Sequence, residues 1–379
     1  MNLYYYIIII GLLSFSCSQK KHSELTEFPV DINQDISLKL SEITDEITVI
    51  HPELTDESLL SYGNGTSIAR MIRTENNIIV ATSELSVTNT VLVFNKNGKF
   101  VRSIGSRGQG PGDHNLISNI TFDERNSRLF ILSKYPYKII CYHLNGKFVK
   151  ESQLNQRGWY SDILYDNNEL FVECLYRDGK NPKRIVYRMN DNLRVTDSIV
   201  CWENNYEQGV MDVYRFPDYV VKNRVSINVY PKELYVKWEA PNVKVLRDTL
   251  YRLKDNQLIP ELKLKFRNDG IDRYGDKVID LFNLYRSSRY IFANYVYNPN
   301  NRERNTEFPK PSYFCYDTKT GKGYNMLGGY TDDIHGIEER VAIRPLTSDS
   351  EYFYYWYTHM NPNDREEPNP TLYIGKLKK

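Results

Sequence analysis

The sequence predicts an all-β protein: a six-bladed β-propeller of four-stranded blades, its ring closed by an N-terminal strand that joins the last blade. Three observations predict it. Strand–turn–strand segments come in pairs, and the pairs repeat about every 50 residues, the spacing of propeller blades. Aromatic residues are abundant, with 31 Tyr and 15 Phe among 379 residues, and flat rings favour the pleated surface of a strand. No sustained apolar stripe at i, i+3, i+4, i+7 with helix caps runs through the chain; one short helix is expected within Asp272 to Leu284.

The repeat is clearest in its first two copies. Val91 to Ile104 (VLVFNKNGKFVRSI) matches Ile139 to Ser152 (IICYHLNGKFVKES). Each reads as a strand, a turn at Asn97-Gly98 or Asn145-Gly146, and an alternating strand, with a type I′ turn expected from the Asn-Gly pairs. A second hairpin precedes each one, over Ala69 to Thr82 and Asn119 to Ser133. Two hairpins make one four-stranded blade. Weaker copies begin at Ser161, Ser226, Asn283 and Ala342, which brings the total to six. The segment Ile36 to Ile50 is expected to complete the last blade, removing an open sheet edge that would otherwise pair with other chains.

The N-terminus reads as an address. Leu3 to Phe15 is an apolar run, short of the roughly 20 residues a membrane-spanning helix needs and matched to a signal-peptide core. Cys17 follows the small residue Ser16, as in a bacterial lipobox, where the thiol is acylated and the preceding peptide removed. Residues 1–16 are therefore expected to be a lipoprotein signal peptide, 17–35 a flexible tether and 36–379 the propeller. Cys141, Cys174, Cys201 and Cys315 lie in apolar stretches without a CxxC pair, so buried free thiols are expected; the sequence leaves disulfide pairing open.

Charge narrows the function. With 49 basic and 48 acidic residues the net charge is +1, which gives no basic stripe for nucleic acid and no polybasic segment for a membrane surface. No metal-ligand spacing, nucleophile elbow or dinucleotide fingerprint is present, and no cofactor is expected.

Two polar clusters stand out. The run Gly105 to His114 (GSRGQGPGDH) lacks the Lys-Ser/Thr ending of a phosphate loop. It reads as a crossover between blades in which glycines permit close approach. If a ligand meets it at the channel mouth, Arg107, Gln109, Asp113 and His114 are the polar groups available. Thr331 to Gly336 holds Asp332, Asp333 and His335, which suit a solvated loop with Asx turns, acid–base chemistry or a hard cation, although no D-x-D-x-D-G calcium loop is present. The aromatic run Tyr352 to Tyr357 suggests a saccharide platform, but alternation along a strand assigns it to packing between blades.

The stretch from Phe94 to Asp113 (FNKNGKFVRSIGSRGQGPGD) resembles the NHL-like six-bladed β-propeller lipoproteins of Bacteroidetes, as do Arg247 to Leu253 and Asn369 to Lys378. The resemblance covers nearly the whole mature chain; Asn95 and Asp113 depart from the usual acidic residue and Glu. It implies a propeller fold and a place in the cell envelope, lipid-anchored to a bacterial membrane, the outer one for this family, and facing periplasm or exterior. It transfers no catalytic residues. The expected function is non-catalytic binding or scaffolding of a glycan, peptide or protein ligand. The alternative is an envelope lyase or hydrolase, which would require Asp113, His114, Asp332 and His335 to converge at one mouth of the channel.

Overall fold

The computed structural model describes residues 25–60, 68–82, 88–166, 168–176, 183–203, 226–228, 233–236, 248–254, 257–270, 278–298, 310–346, 349–359 and 368–379. The expected signal peptide and Cys17 lie outside the described residues. The chain opens with β1 (Thr26–Val30), a one-turn helix α1 (Leu40–Ile43) and β2 (Thr44–Ile50). Blade 1 follows as β3 (Ile68–Arg73), β4 (Asn77–Thr82), β5 (Val91–Asn95) and β6 (Phe100–Ile104). Blade 2 is β7 (Leu116–Asp123), β8 (Arg128–Lys134), β9 (Lys138–His143) and β10 (Phe148–Gln153). Blade 3 is β11 (Gly158–Asp166), β12 (Glu169–Tyr176), β13 (Lys183–Met189) and β14 (Val195–Glu203). Blade 4 is β15 (Ser226–Asn228), β16 (Glu233–Val236), β17 (Thr249–Lys254) and β18 (Gln257–Phe266). Blade 5 is β19 (Ile279–Arg286), β20 (Tyr290–Tyr297), β21 (Ser312–Asp317) and β22 (Lys322–Leu327). Blade 6 is β23 (Arg344–Leu346), β24 (Asp349–Tyr357) and β25 (Thr371–Leu377), with β2 as its outer strand. The molecule is an all-β, six-bladed propeller.

Both faces of a blade are covered by its neighbours, so strands carry runs of apolar residues instead of a clean alternation. Five apolar clusters fill seams between successive blades. The run Tyr352 to Tyr357 divides as alternation requires: Phe353 and Tyr355 enter the seam with blade 5, while Tyr354, with Tyr352 and Trp356 beside it, enters the seam with blade 1.

The N-terminal segment is a belt. β2 pairs antiparallel with β25, from Thr44↔Leu377 to Ile50↔Leu372, which is the expected ring closure. The belt starts earlier than the sequence suggests. β1, inside the segment read as tether, pairs in parallel with β18 as a fifth strand of blade 4. Val30 is buried and Phe28 sets its ring edge-on against Tyr316, 4.8 Å between centroids. Between these strands the chain follows the rim of blade 5, where Ile36 N donates to Asn325 O at 2.8 Å and Asn325 Nδ2 donates to Gln34 O at 2.9 Å. Three consecutive outer edges are thus covered by one stretch of chain.

Two local expectations are corrected. Only Gly98, at φ +85°, takes positive φ in the first Asn-Gly turn; Asn97 does not. Gly98 N donates to Asn95 O at 2.9 Å and Asn95 N to Lys99 O at 2.8 Å. This is a type I turn closed by a glycine bulge, not a type I′ turn. The cause is Asn95, whose Oδ1 accepts from Asn97 N and Lys99 N and so draws Lys96 into the turn. The short helix expected up to Leu284 is a strand over Ile279–Leu284, with Leu281 buried in the seam between blades 4 and 5 and Phe282 exposed; residues 271–277 lie outside the described residues. Cys141, Cys174 and Cys315 are free and buried. Burial pushes the thiols of Cys141 and Cys174 up, to about 11 and about 12, so both stay protonated and unreactive.

Candidate functional site

The blades alternate strand direction, so every crossover from an outer to the next inner strand emerges at the same end of the ring as every loop joining a blade's second and third strands. Three such segments meet over blade 2. They are the glycine-rich crossover 105–115 between β6 and β7, the loop 135–137 between β8 and β9, and the crossover 154–157 between β10 and β11.

The glycine-rich crossover is braced from within. Gly108 N donates to His114 O and His114 N to Ser106 O, each at 2.9 Å, and Asp113 Oδ2 accepts from Gly110 N at 2.9 Å. Gly112, at φ +82°, turns its carbonyl to the Tyr142 hydroxyl and donates its N–H to Glu151 Oε2 at 2.9 Å. Glu151 in turn pairs with Lys138 at 2.9 Å. Asp113 is therefore a cap within its own loop. His114 is 1% exposed, with Nε2 3.3 Å from Asn89 O. Burial lowers the pKa of His114 below its ordinary 6.5, so the folded protein holds a neutral ring. Because the folded pKa lies below the unfolded one, this burial costs nothing above pH 6.5 and erodes stability as pH falls through 6.5 towards the folded value. The urea midpoint is expected to drop between pH 7 and pH 5, and to drop less in His114→Leu; equal slopes would contradict the assignment.

The loops are also braced to one another. Asn115 Nδ2 donates to Tyr135 O at 3.0 Å. Gln156 clasps Tyr137, accepting from its N–H and donating to its carbonyl, both at 2.9 Å. Tyr135 is held at φ +57°, a conformation a bulky residue rarely adopts and one that marks a position fixed by its surroundings. What this frame exposes is specific. Tyr135 is 60% exposed, and Arg107, Gln109 and Arg157 are exposed on the same three segments. Of the residues expected from sequence, Arg107 and Gln109 belong to this surface, whereas Asp113 and His114 support it from beneath.

The second cluster lies elsewhere, in the crossover from blade 5 to blade 6. The Asp332 side chain is fully buried and accepts from Ile334 N at 3.0 Å, His335 N at 2.9 Å and the Tyr355 hydroxyl at 2.7 Å. His335 Nδ1 is 3.2 Å from the same carboxylate, and its ring leans on Tyr373, which stacks on Tyr355 at 4.6 Å. His359 Nε2 reaches the Tyr373 hydroxyl at 3.0 Å. Asp333 belongs to ring closure: it accepts from Ser41 N at 3.1 Å and Ser41 Oγ at 2.6 Å, and although partial burial opposes it, these bonds hold its carboxyl below the usual range. Asp332 and His335 thus sit two blades away from Asp113 and His114, and each pair bonds to its own surroundings. Among the described residues no group of three or more His, Cys, Asp or Glu is arranged to hold a metal ion.

Sequence reading also missed a polar set at the axis. The inner strands β3, β7, β11 and β19 each carry a one-residue bulge, followed by Arg70, Asn119, Asp162 and Asn283. Arg70 Nη2 meets Asp162 Oδ1 at 2.8 Å and Asn119 Nδ2 meets the same oxygen at 2.9 Å. Arg70 Nη1 also reaches Ile163 O at 3.3 Å. These bonds tie three blades together where inner-edge carbonyls would otherwise lack donors. The signal was the phase of the repeat in the first strand: an apolar residue, one bulged residue (small in β3, β7 and β11, Phe282 in β19), then Arg, Asn or Asp.

A six-bladed propeller with a braced loop surface over blade 2 is the class that fold and site define. The chain belongs to the family described as a domain of unknown function (DUF4934), matched over residues 25–378. No curated protein matches the sequence. Among solved structures it is similar to a protein of Bacteroides fragilis NCTC 9343 provisionally designated as exported, with 15% identity over 93% of this chain and 99% of the other and a TM-score of 0.59. A member of the DUF4221 family from Bacteroides vulgatus ATCC 8482 is also similar, with 9% identity over 88% of this chain and 97% of the other and a TM-score of 0.51. At these identities the likeness concerns the fold. Among the described residues no helix is long and apolar enough to cross a membrane.

Proposed function

We propose that this protein is an extracytoplasmic binding protein, anchored by lipid at Cys17, that holds a glycan, peptide or protein ligand on the crossover surface of blade 2. The observation that carries the reading is the three-loop frame, in which hydrogen bonds from Asn115 and Gln156 fix loops from distant sequence positions while Tyr135, Arg107 and Arg157 remain exposed. A rigid scaffold that presents aromatic and guanidinium groups from loops suits recognition. The separation of Asp332 and His335 from Asp113 and His114 favours binding over the hydrolase or lyase alternative, which needs those groups together. The designation of the Bacteroides fragilis relative supports export, and the lipobox-like Ser16-Cys17 together with the NHL-like lipoprotein resemblance supports the anchor.

The anchor is tested by Cys17→Ala in a bacterial host. Palmitate labelling is expected to vanish and the protein to move from the membrane to the soluble fraction; retained labelling would refute lipidation at this residue. The binding surface is tested by screening glycans and peptides against the chain from Ser18 onward, which keeps every described strand. Ligands found should lose affinity in Tyr135→Ala and Arg107→Ala and keep it in Lys322→Ala, an exposed change on blade 5.

A further inference from the structure

We infer that the outer rim of blade 4 is the part of the ring nearest the lipid bilayer, an inference that rests on the anchor at Cys17 proposed above and adds where on the propeller that anchor pulls. The geometry starts from β1. It is the end strand of a five-stranded sheet in the order β1-β18-β17-β16-β15, so the chain joins the propeller at the outermost edge of blade 4. Its five residues pair in register with Leu262 to Phe266. Val30 is 4% exposed in the seam between blades 4 and 5, and Phe28 packs on Tyr316. Glu27 pairs with Lys265 at 2.8 Å. Beyond the strand, the bonds of Gln34 and Ile36 to Asn325 hold the next residues to blade 5. The chain is thus fixed to the rim from Thr26 onward.

Length then limits where the ring can stand. Nine residue steps separate Cys17 from Thr26, and at full extension they reach at most about 32 Å. A tether running on to Ile36 would reach about 70 Å. A compact chain of this size has a radius of gyration of about 20 Å and hence a width of about 50 Å. The longer reach exceeds that width and the shorter one falls below it. With β1 in place, the ring therefore cannot stand between Thr26 and the bilayer, and blade 4 is never its far side. Around six blades the one opposite blade 4 is blade 1, three places on, and the loop surface of blade 2 lies two places from the attachment. Attachment at this rim leaves that surface clear of the point where the lipid holds the protein.

The test uses the full chain made in a bacterial host and reconstituted into vesicles whose lipid head groups carry an energy-transfer acceptor. A fluorescent amino acid replaces either Thr26 or Val101, both exposed; Val101 lies on β6, the outer strand of blade 1. Transfer is expected to be roughly threefold greater from position 26 than from position 101. A Gly/Ser insert of about 20 residues between Ser23 and Glu24 adds about 25 Å of mean reach and leaves every described strand intact. It should bring the two positions to equal transfer. Far-ultraviolet circular dichroism checks that each variant keeps the fold. Equal transfer without the insert would overturn the inference and leave the anchor standing. A difference that survives the insert would also overturn it, because something other than tether length would then hold the rim. A chain that takes up no palmitate and does not join the vesicles would refute the anchor, and this inference with it.

Discussion

A chain beginning at His51, lacking the belt, is expected not to fold as a monomer. β2 is the outer strand of blade 6, and without it β25 presents an open edge beside the aromatic strand β24. The loss reaches the core. Leu38, Leu40, Ile43 and Ile50 are each at most 5% exposed; the first three pack in the seam between blades 5 and 6 and Ile50 in the seam between blades 6 and 1. At about 2 kcal/mol for each buried aliphatic side chain, their removal alone approaches the net stability of about 5–15 kcal/mol typical of a domain. An open edge also invites association. Size-exclusion chromatography should find aggregate or nothing soluble, whereas the chain from Ser18 elutes as a folded species. A soluble, cooperatively melting protein from His51 would show that the ring does not depend on its N-terminal strand.

Gly98→Ala is expected to cost several kcal/mol, and Gly146→Ala much less. The two glycines occupy the same place in successive repeats and share the same backbone, φ +85° and +87°. Any non-glycine residue there carries a cost of about 1–2 kcal/mol for left-handed geometry. The difference lies in what surrounds them. A Cβ on Gly98 would be driven into the backbone carbonyl of His51, and its nearest other neighbour is Ile50, so the clash falls on the chain that closes the ring. At Gly146 the nearest atom is Arg102 Cδ at 3.8 Å, an ordinary contact at the end of a flexible side chain. Urea unfolding of both variants reads the difference directly. Equal destabilisation would mean that the close approach of His51 to the first turn contributes nothing.

That pair of glycines also shows what the sequence made legible. Turn residues and apolar runs are local, and they located six blades, the strands within them and the strand that closes the ring. The form of the turn escaped because it depends on the Asn95 side chain reaching along the backbone, a competition that the Asn-Gly pair alone does not reveal. β1 escaped for another reason. A five-residue strand containing Pro29 has little pattern of its own, and its register with Leu262 to Phe266 is set by contacts such as Phe28 on Tyr316. The candidate surface was half visible. Arg107 and Gln109 were conspicuous because glycine density drew attention to their loop; Tyr135 and Arg157 sit in unremarkable segments, and only the packing of neighbouring blades brings those segments to it.

Tyr135 offers the most direct test of the account, because it is 60% exposed on the frame that Asn115 and Gln156 hold together. A glycan or peptide found to bind the chain from Ser18 should lose about tenfold in affinity in Tyr135→Ala. Affinity undiminished in Tyr135→Ala would place the ligand elsewhere on the propeller and contradict the blade 2 surface as the site.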